Sequence, residues 1–144
     1  MGDAEQKIDL DKYKTIIADT IKEIGLKPDE CYNEQGNYWT LYKGSATVNI
    51  NLFTIDRPDE PPEWYVEWSS PVMQIPSANL LAFYRRLLEE NANHIALKFC
   101  LREDTVWVEI TRELEGLSFD ECYRNLTRIG ETADELDDIL KDEF

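Results

Sequence analysis

Two spacings of apolar residues alternate along the chain. From Leu10 to Ile24, Tyr13, Ile16, Ile17, Ile21 and Ile24 fall three and four apart, on one face of a helix. Asp9 and Asp11 suit its start, Gly25 suits the position just past its end, and Pro28 bars continuation. The spacing then drops to two. NYWTLYKGSATVNINLF predicts a hairpin about Gly44-Ser45, with Gly at the first turn position as a type II′ turn requires. That register sets Leu41 opposite Val48 and Trp39 opposite Ile50. DRPDEPP, from Asp56 to Pro62, is a stiff acidic connector whose prolines cannot join a central ladder. EWYVEWS alternates again, with Trp64, Val66 and Trp68 on one face and Tyr65 and Glu67 on the other.

A second helix follows Pro76, with Ser77 as the expected N-cap. Leu80, Leu81, Tyr84, Leu87 and Leu88 form a broad stripe, expected to face the core. Its burial is worth roughly 10 kcal/mol gross at about 2 kcal/mol per side chain, before entropy is subtracted. After ENANH, Ile95, Leu97, Phe99 and Leu101 alternate, and so do Val106, Val108 and Ile110. A tight turn at Glu103-Asp104 pairs Leu101 with Val106 and Phe99 with Val108, all toward the core. Glu-Asp is a poor type I′ pair, so a slightly longer loop stays open.

The last helix begins at Ser118, with Glu121 at capping-box spacing. Phe119, Cys122, Leu126, Ile129, Ala133, Leu136 and Leu140 make its apolar face, which fits either a core helix or a seam against a partner helix. Gly130 weakens its middle, and the acidic tail ADELDDILKDEF is expected to fray. The fold class is therefore α+β: an antiparallel sheet of about five strands with helices, in the order α-β-β-β-α-β-β-α, as one domain over residues 1–144.

Composition narrows the function. With 42% hydrophobic residues, four Trp, seven Tyr and five Phe, the chain has material for a core despite 31% charge. A formal charge of −15 disfavours nucleic acid and anionic membranes. It favours solubility and is compatible with a basic partner, although a solvated acidic surface needs no partner at all. No run approaches the roughly 18 apolar residues of a membrane helix. The polar start MGDAEQKIDLDKYK shows no secretory signal, and Gln6 stands where myristoylation wants Ser or Thr. Cys31, Cys100 and Cys122 form no C-x-x-C, so reduced thiols and a cytoplasmic location are expected.

Little points to catalysis. His94 is the only histidine and sits at a predicted helix end, where the dipole accounts for it. There is no P-loop, G-x-G-x-x-G or H-E-x-x-H, and no Cys/His spacing for zinc. No catalytic residue, metal site or cofactor is therefore assigned. Asp56, Asp59, Glu60 and Glu63 cluster around prolines, which keeps an acidic cation binder or hydrolase as the alternative. Asn125-Leu126-Thr127 matches a glycosylation site but falls inside a predicted helix.

One feature asks for a partner. Tyr38, Tyr42, Tyr65 and Trp107 fall on the strand faces opposite the core set, among Thr40, Thr47, Asn49, Asn51, Glu67, Lys98 and Glu109. Aromatics on a wet sheet face suit docking of a protein or peptide. Cross-strand stabilisation, or a helix covering this face, would account for them as well.

The stretch PSANLLAFYRRLLEENANHIALKFCLREDTVWVEITRELEGLSFDECYRNLTRIGETAD resembles the YbjN-domain family and its structural relatives, the type III secretion chaperones. The resemblance is carried by Leu80, Leu81, Leu87 and Leu88, then Asn91 and Asn93, and then Phe99, Leu101, Val106 and Val108. Leu114, Leu117 and Ser118 complete it, and TVNINL and EWYVEW fit the same plan. It implies a small α+β domain without an active site. It also implies a chaperone-like or regulatory binder of a protein segment, and a homodimer; the wet sheet face and the last helix are the surfaces that would serve as its interface.

Overall fold

The computed structural model describes residues 8–144, so the Met1–Gln6 stretch weighed above lies outside the described residues. Helix α1 (Leu10–Glu23) begins where the Asp9 carboxylate accepts the Lys12 amide at 3.1 Å. At its end the Gly25 N–H donates to the Lys22 carbonyl and the Leu26 N–H to the Ile21 carbonyl. Gly25, at φ 90°, supplies the left-handed backbone this closure needs. A single turn, α2 (Pro28–Cys31), and a two-residue strand, β1 (Tyr32–Asn33), come next. Both are too short to show a period, and neither was expected.

Strands β2 (Tyr38–Lys43) and β3 (Ala46–Ile55) pair as expected, Leu41 with Val48 and Trp39 with Ile50, around Gly44 at φ 62°. Then follow β4 (Glu63–Gln74), α3 (Leu80–Asn93), β5 (Leu97–Arg102), β6 (Thr105–Glu113) and α4 (Phe119–Glu143). The sheet is antiparallel and six-stranded, in the order β1-β2-β3-β4-β6-β5, one strand more than expected. Leu101 pairs with Val106 and Phe99 with Val108 about a true two-residue turn. Glu103 takes φ 55° there, so the tight turn forms without glycine.

Helices α1 and α4 lie on one face of this sheet. Ile17 and Ile21 from α1 and Ile129 and Leu140 from α4 are fully buried with Ile50, Val66, Trp68, Val106 and Val108 from the strands. The apolar positions of α4 from Cys122 to Leu140 therefore serve the chain's own core, not a seam with another helix. Ser118 caps α4 through the Glu121 amide, and Phe119 stays partly exposed. Asn125 is buried within the helix. The acidic tail remains helical to Glu143, tied to α3 by an ion pair with Arg86.

Helix α3 departs from expectation. Of Leu80, Leu81, Tyr84, Leu87 and Leu88 only Leu87 is buried, and Phe83 is its companion in the core. The helix packs at the margin of the sheet against β5, not across its flat face. Phe83 meets Phe144 edge-on at 5.1 Å. A helix at a margin needs only a narrow contact strip, and Phe83 with Leu87, four apart, supplies it. Its N-cap is Asn79, in a left-handed conformation and without a side-chain cap bond, and not Ser77. Leu101, at the end of the marginal strand β5, is likewise half-exposed.

Candidate functional site

The helices leave the second face of the sheet open, and the alternation of the strands places Tyr38, Tyr42, Tyr65 and Trp107 on it. The four are not brought together. Tyr42 pairs across to Thr47 and Trp107 to Pro71, near the β2–β3 hairpin. Tyr38 and Tyr65 lie toward the opposite end, across from Asn51 and Phe53. Three of them are engaged locally. The Tyr38 hydroxyl accepts from the Asn33 amide at 2.6 Å, Tyr65 stacks on Phe53 at 5.8 Å, and the Arg102 guanidinium lies 4.3 Å from the Trp107 ring centre. Tyr42 is 71% exposed and has no such neighbour among the described residues.

Between the aromatics runs a polar floor. Arg102 donates to Glu67 at 3.0 Å and to Glu109 at 2.7 Å, Lys98 reaches Glu109 at 3.2 Å, and the Thr111 hydroxyl donates to Glu67 at 3.1 Å. Burial on its own would raise the Glu109 pKa. Hydrogen bonds from Arg102, Lys98 and Cys100 outweigh it and hold the carboxyl below the ordinary glutamate value. The Cys100 thiol is pushed up to about 11, by burial first and by Glu109 second, which keeps it protonated and unreactive near neutrality. A shallow depression of about 410 Å³ opens over Tyr38, Thr40, Asn49, Asn51, Glu67, Ser69 and Arg102. Its two charged groups, Glu67 and Arg102, pair with each other, so the depression offers a guest shape and polarity. The network was not legible in the sequence, because its members come from three strands.

The two margins of the sheet differ. At β5 the Asn91 side chain of α3 acts as a substitute strand: its carbonyl oxygen accepts from the Phe99 N–H and its amide donates to the Phe99 carbonyl. At the other margin, β1 covers only Tyr38 and Trp39 of β2. From Thr40 to Lys43 the outer edge of β2 has no partner strand among the described residues. Beside this free edge lies a cleft of about 330 Å³ between the β2–β3 hairpin and α4. Ile24, Leu41, Val48, Tyr123, Leu126 and Gly130 form its apolar wall, and Lys43, Glu131 and Asp134 its rim. Asp134 accepts from the Ser45 hydroxyl.

The remaining candidates do not assemble. His94 ends α3, its Nδ1 against the Glu90 carbonyl at 2.8 Å and its ring near Phe99. Glu63, the first residue of β4, pairs with Arg57 of the acidic connector at 2.8 Å. Among the described residues no three His, Cys, Asp or Glu side chains are placed to hold a metal ion, and no helix is long and apolar enough to cross a membrane.

No family model matches this chain, and no curated protein does. Solved structures do. A chain of the ExsC–ExsE complex is 17% identical with a TM-score of 0.65, covering 92% of this chain and 97% of its own. A chain of the HopA1–SchA chaperone–effector complex is 12% identical at 0.62, covering 90% and 97%. A chain of the heterodimeric ExoU–SpcU complex from the type III secretion system of Pseudomonas aeruginosa is 14% identical at 0.56, covering 83% and 93%. The chain thus has a type III secretion chaperone-like α+β fold.

Proposed function

We propose that this chain is a non-enzymatic, chaperone-like binding protein that receives an extended segment of another protein in the cytoplasm. The segment adds as a strand along Thr40–Lys43 and sets an apolar side chain into the cleft between the hairpin and α4. The observation that carries this is the unpaired β2 edge lying beside an apolar cleft, while the opposite margin is closed by Asn91. A charge of −15 and the rim acid Glu131 favour lysine or arginine flanking the apolar positions of the guest. Tyr42, next to the free edge, belongs to the same surface, and Tyr38, Tyr65 and Trp107 receive a guest that continues across the open face. The fold likeness to chains of chaperone–effector complexes supports the reading. Pairing of two copies belongs to the same reading.

The test uses a synthetic peptide of alternating leucine and lysine against its scrambled form. Binding is followed by tryptophan fluorescence and by amide exchange. Slowed exchange at Thr40–Lys43 is expected, with affinity lowered about tenfold by Gly130→Met, which fills the pocket the guest side chain needs. Binding without protection of this edge would remove the strand-addition site. Unchanged affinity in a Tyr65→Ala, Trp107→Ala double variant would remove the open face.

A further inference from the structure

The open face of the sheet holds a hydroxyl that the fold encloses and leaves without a bond. Ser69 lies on β4 between Asn49 of β3 and Glu109 of β6 and is only 2% exposed. It lines the depression of about 410 Å³, and its hydroxyl has no hydrogen-bond partner among the described residues. A polar group so enclosed ordinarily finds a partner, and one without marks a place where something else bonds. Its neighbours repeat the pattern. The Asn49 carbonyl oxygen accepts from the Thr40 hydroxyl at 2.9 Å, which leaves both Asn49 amide hydrogens to give. The Asn51 side chain, which also lines the depression, has no partner among the described residues. The Tyr38 hydroxyl accepts from Asn33 and keeps its own hydrogen. Donors and acceptors thus stand side by side over two adjacent rows, Tyr38–Asn51–Glu67 and Thr40–Asn49–Ser69.

Charge selects the kind of molecule that fits. Glu67 and Arg102 pair at 3.0 Å, and the chain as a whole carries −15. An anion is repelled by the chain and meets a cation already engaged, and a cation gains little from a carboxylate already paired. Ring geometry argues against a flat aromatic ligand. The Trp107 ring is covered by Arg102 at 4.3 Å and the Tyr65 ring by Phe53 at 5.8 Å, so neither is free to sandwich one. A floor of amides and hydroxyls suits no apolar side chain. What fits is a neutral molecule with hydroxyls around its rim. We propose that the depression binds a neutral saccharide, its hydroxyls bonded by Ser69, Asn49 and Asn51 and its C–H edge set against the Tyr38 ring. Each sugar hydroxyl both gives and accepts, which matches the mixed set here. A shallow site of this kind gives weak binding, with a dissociation constant of about 1 mM. The site goes beyond the strand-addition reading and needs neither the outer edge of β2 nor the cleft against α4. Of the residues offered to a peptide guest it shares only Tyr38, so either reading can fail alone.

The experiment is a two-dimensional NMR titration of the full chain, without peptide, with maltotriose and separately with cellotriose, each up to about 20 mM. With at least one of the two, resonances should move at the Asn49 and Asn51 side-chain amides and at the Ser69 backbone amide. Gluconate, an anionic polyol, should leave them in place. Ser69→Ala should weaken saccharide binding about fivefold to tenfold, while its urea midpoint stays level or rises, because the hydroxyl removed has no internal bond to lose. Asn51→Ala should weaken binding to a similar degree, and it carries the test should the Ser69 variant not fold. Still resonances with both sugars, an equal response to gluconate, or a saccharide affinity that survives both substitutions overturns the proposal. A markedly lowered midpoint in Ser69→Ala would show the hydroxyl to be bonded within the fold and would overturn it equally.

Discussion

Gly130→Ala should make the protein more stable while narrowing the site it offers a guest. Gly130 stands within the 25-residue helix α4, away from either end, and its backbone is not left-handed. A glycine there costs about 0.8–1 kcal/mol relative to alanine, because the unfolded chain loses more freedom on folding. Whether the gain is realised depends on room for a methyl group. A Cβ built at this position meets nothing nearer than Val48 Cγ2 at 3.8 Å, an ordinary van der Waals contact. No strain offsets the helix term, so the net is a gain of about 1 kcal/mol. With a urea dependence of about 2 kcal/mol per molar, the unfolding midpoint should rise by about 0.5 M at constant slope. The same methyl enters the cleft wall, so peptide affinity should fall severalfold as stability rises. A lowered midpoint would show that α4 and the hairpin need a bare Cα to approach, and would refute the reasoning.

Two further outcomes follow from the hydrogen bonding. Asn91→Ala leaves the Phe99 N–H and carbonyl without partners, and should cost about 1–3 kcal/mol. Exchange of the Phe99 amide should quicken well beyond the global change, and an unchanged rate would show that Asn91 does not close this margin. Glu109 has its carboxyl pKa depressed in the folded protein, so its contribution is present above the ordinary glutamate value of about 4.5 and is lost as pH falls through the depressed one. Glu109→Gln should therefore be less stable at pH 7 and show a shallower loss of its urea midpoint below pH 4.5. Parallel pH profiles for the two proteins would dismiss the Arg102–Glu109–Lys98 network as a source of stability.

The elements that could be read from the sequence are those in which pattern and environment carry the same information. The β2–β3 hairpin has a strict period of two and one glycine where the turn needs it, so its register admitted a single answer. Helix α4 has a long and regular apolar face, which announced the helix, although only its burial decided between the core and a seam with a partner. For α3 a helical period identifies a face but not what covers it. Leu81 and Leu88 carry the signature of buried residues while standing in solvent, and Phe83, which anchors the helix, was outside the expected stripe. The alternation rule placed Tyr38, Tyr42, Tyr65 and Trp107 on one face correctly. Their separation along it depends on strand order, with β6 between β4 and β5, and the polar network across Glu67, Arg102 and Glu109 depends on it too. The free edge of β2 was not legible because β1 is only two residues long.

The unequal margins of the sheet set a limit on aggregation. Fibrils lengthen when every molecule offers two sticky rims, one to each neighbour. Here one rim is stoppered by a single asparagine. Two molecules that met at their unsealed rims would exhaust both at once, and a third would find nowhere to add. The architecture can thus keep one side receptive to visiting chain without becoming the seed of a ribbon.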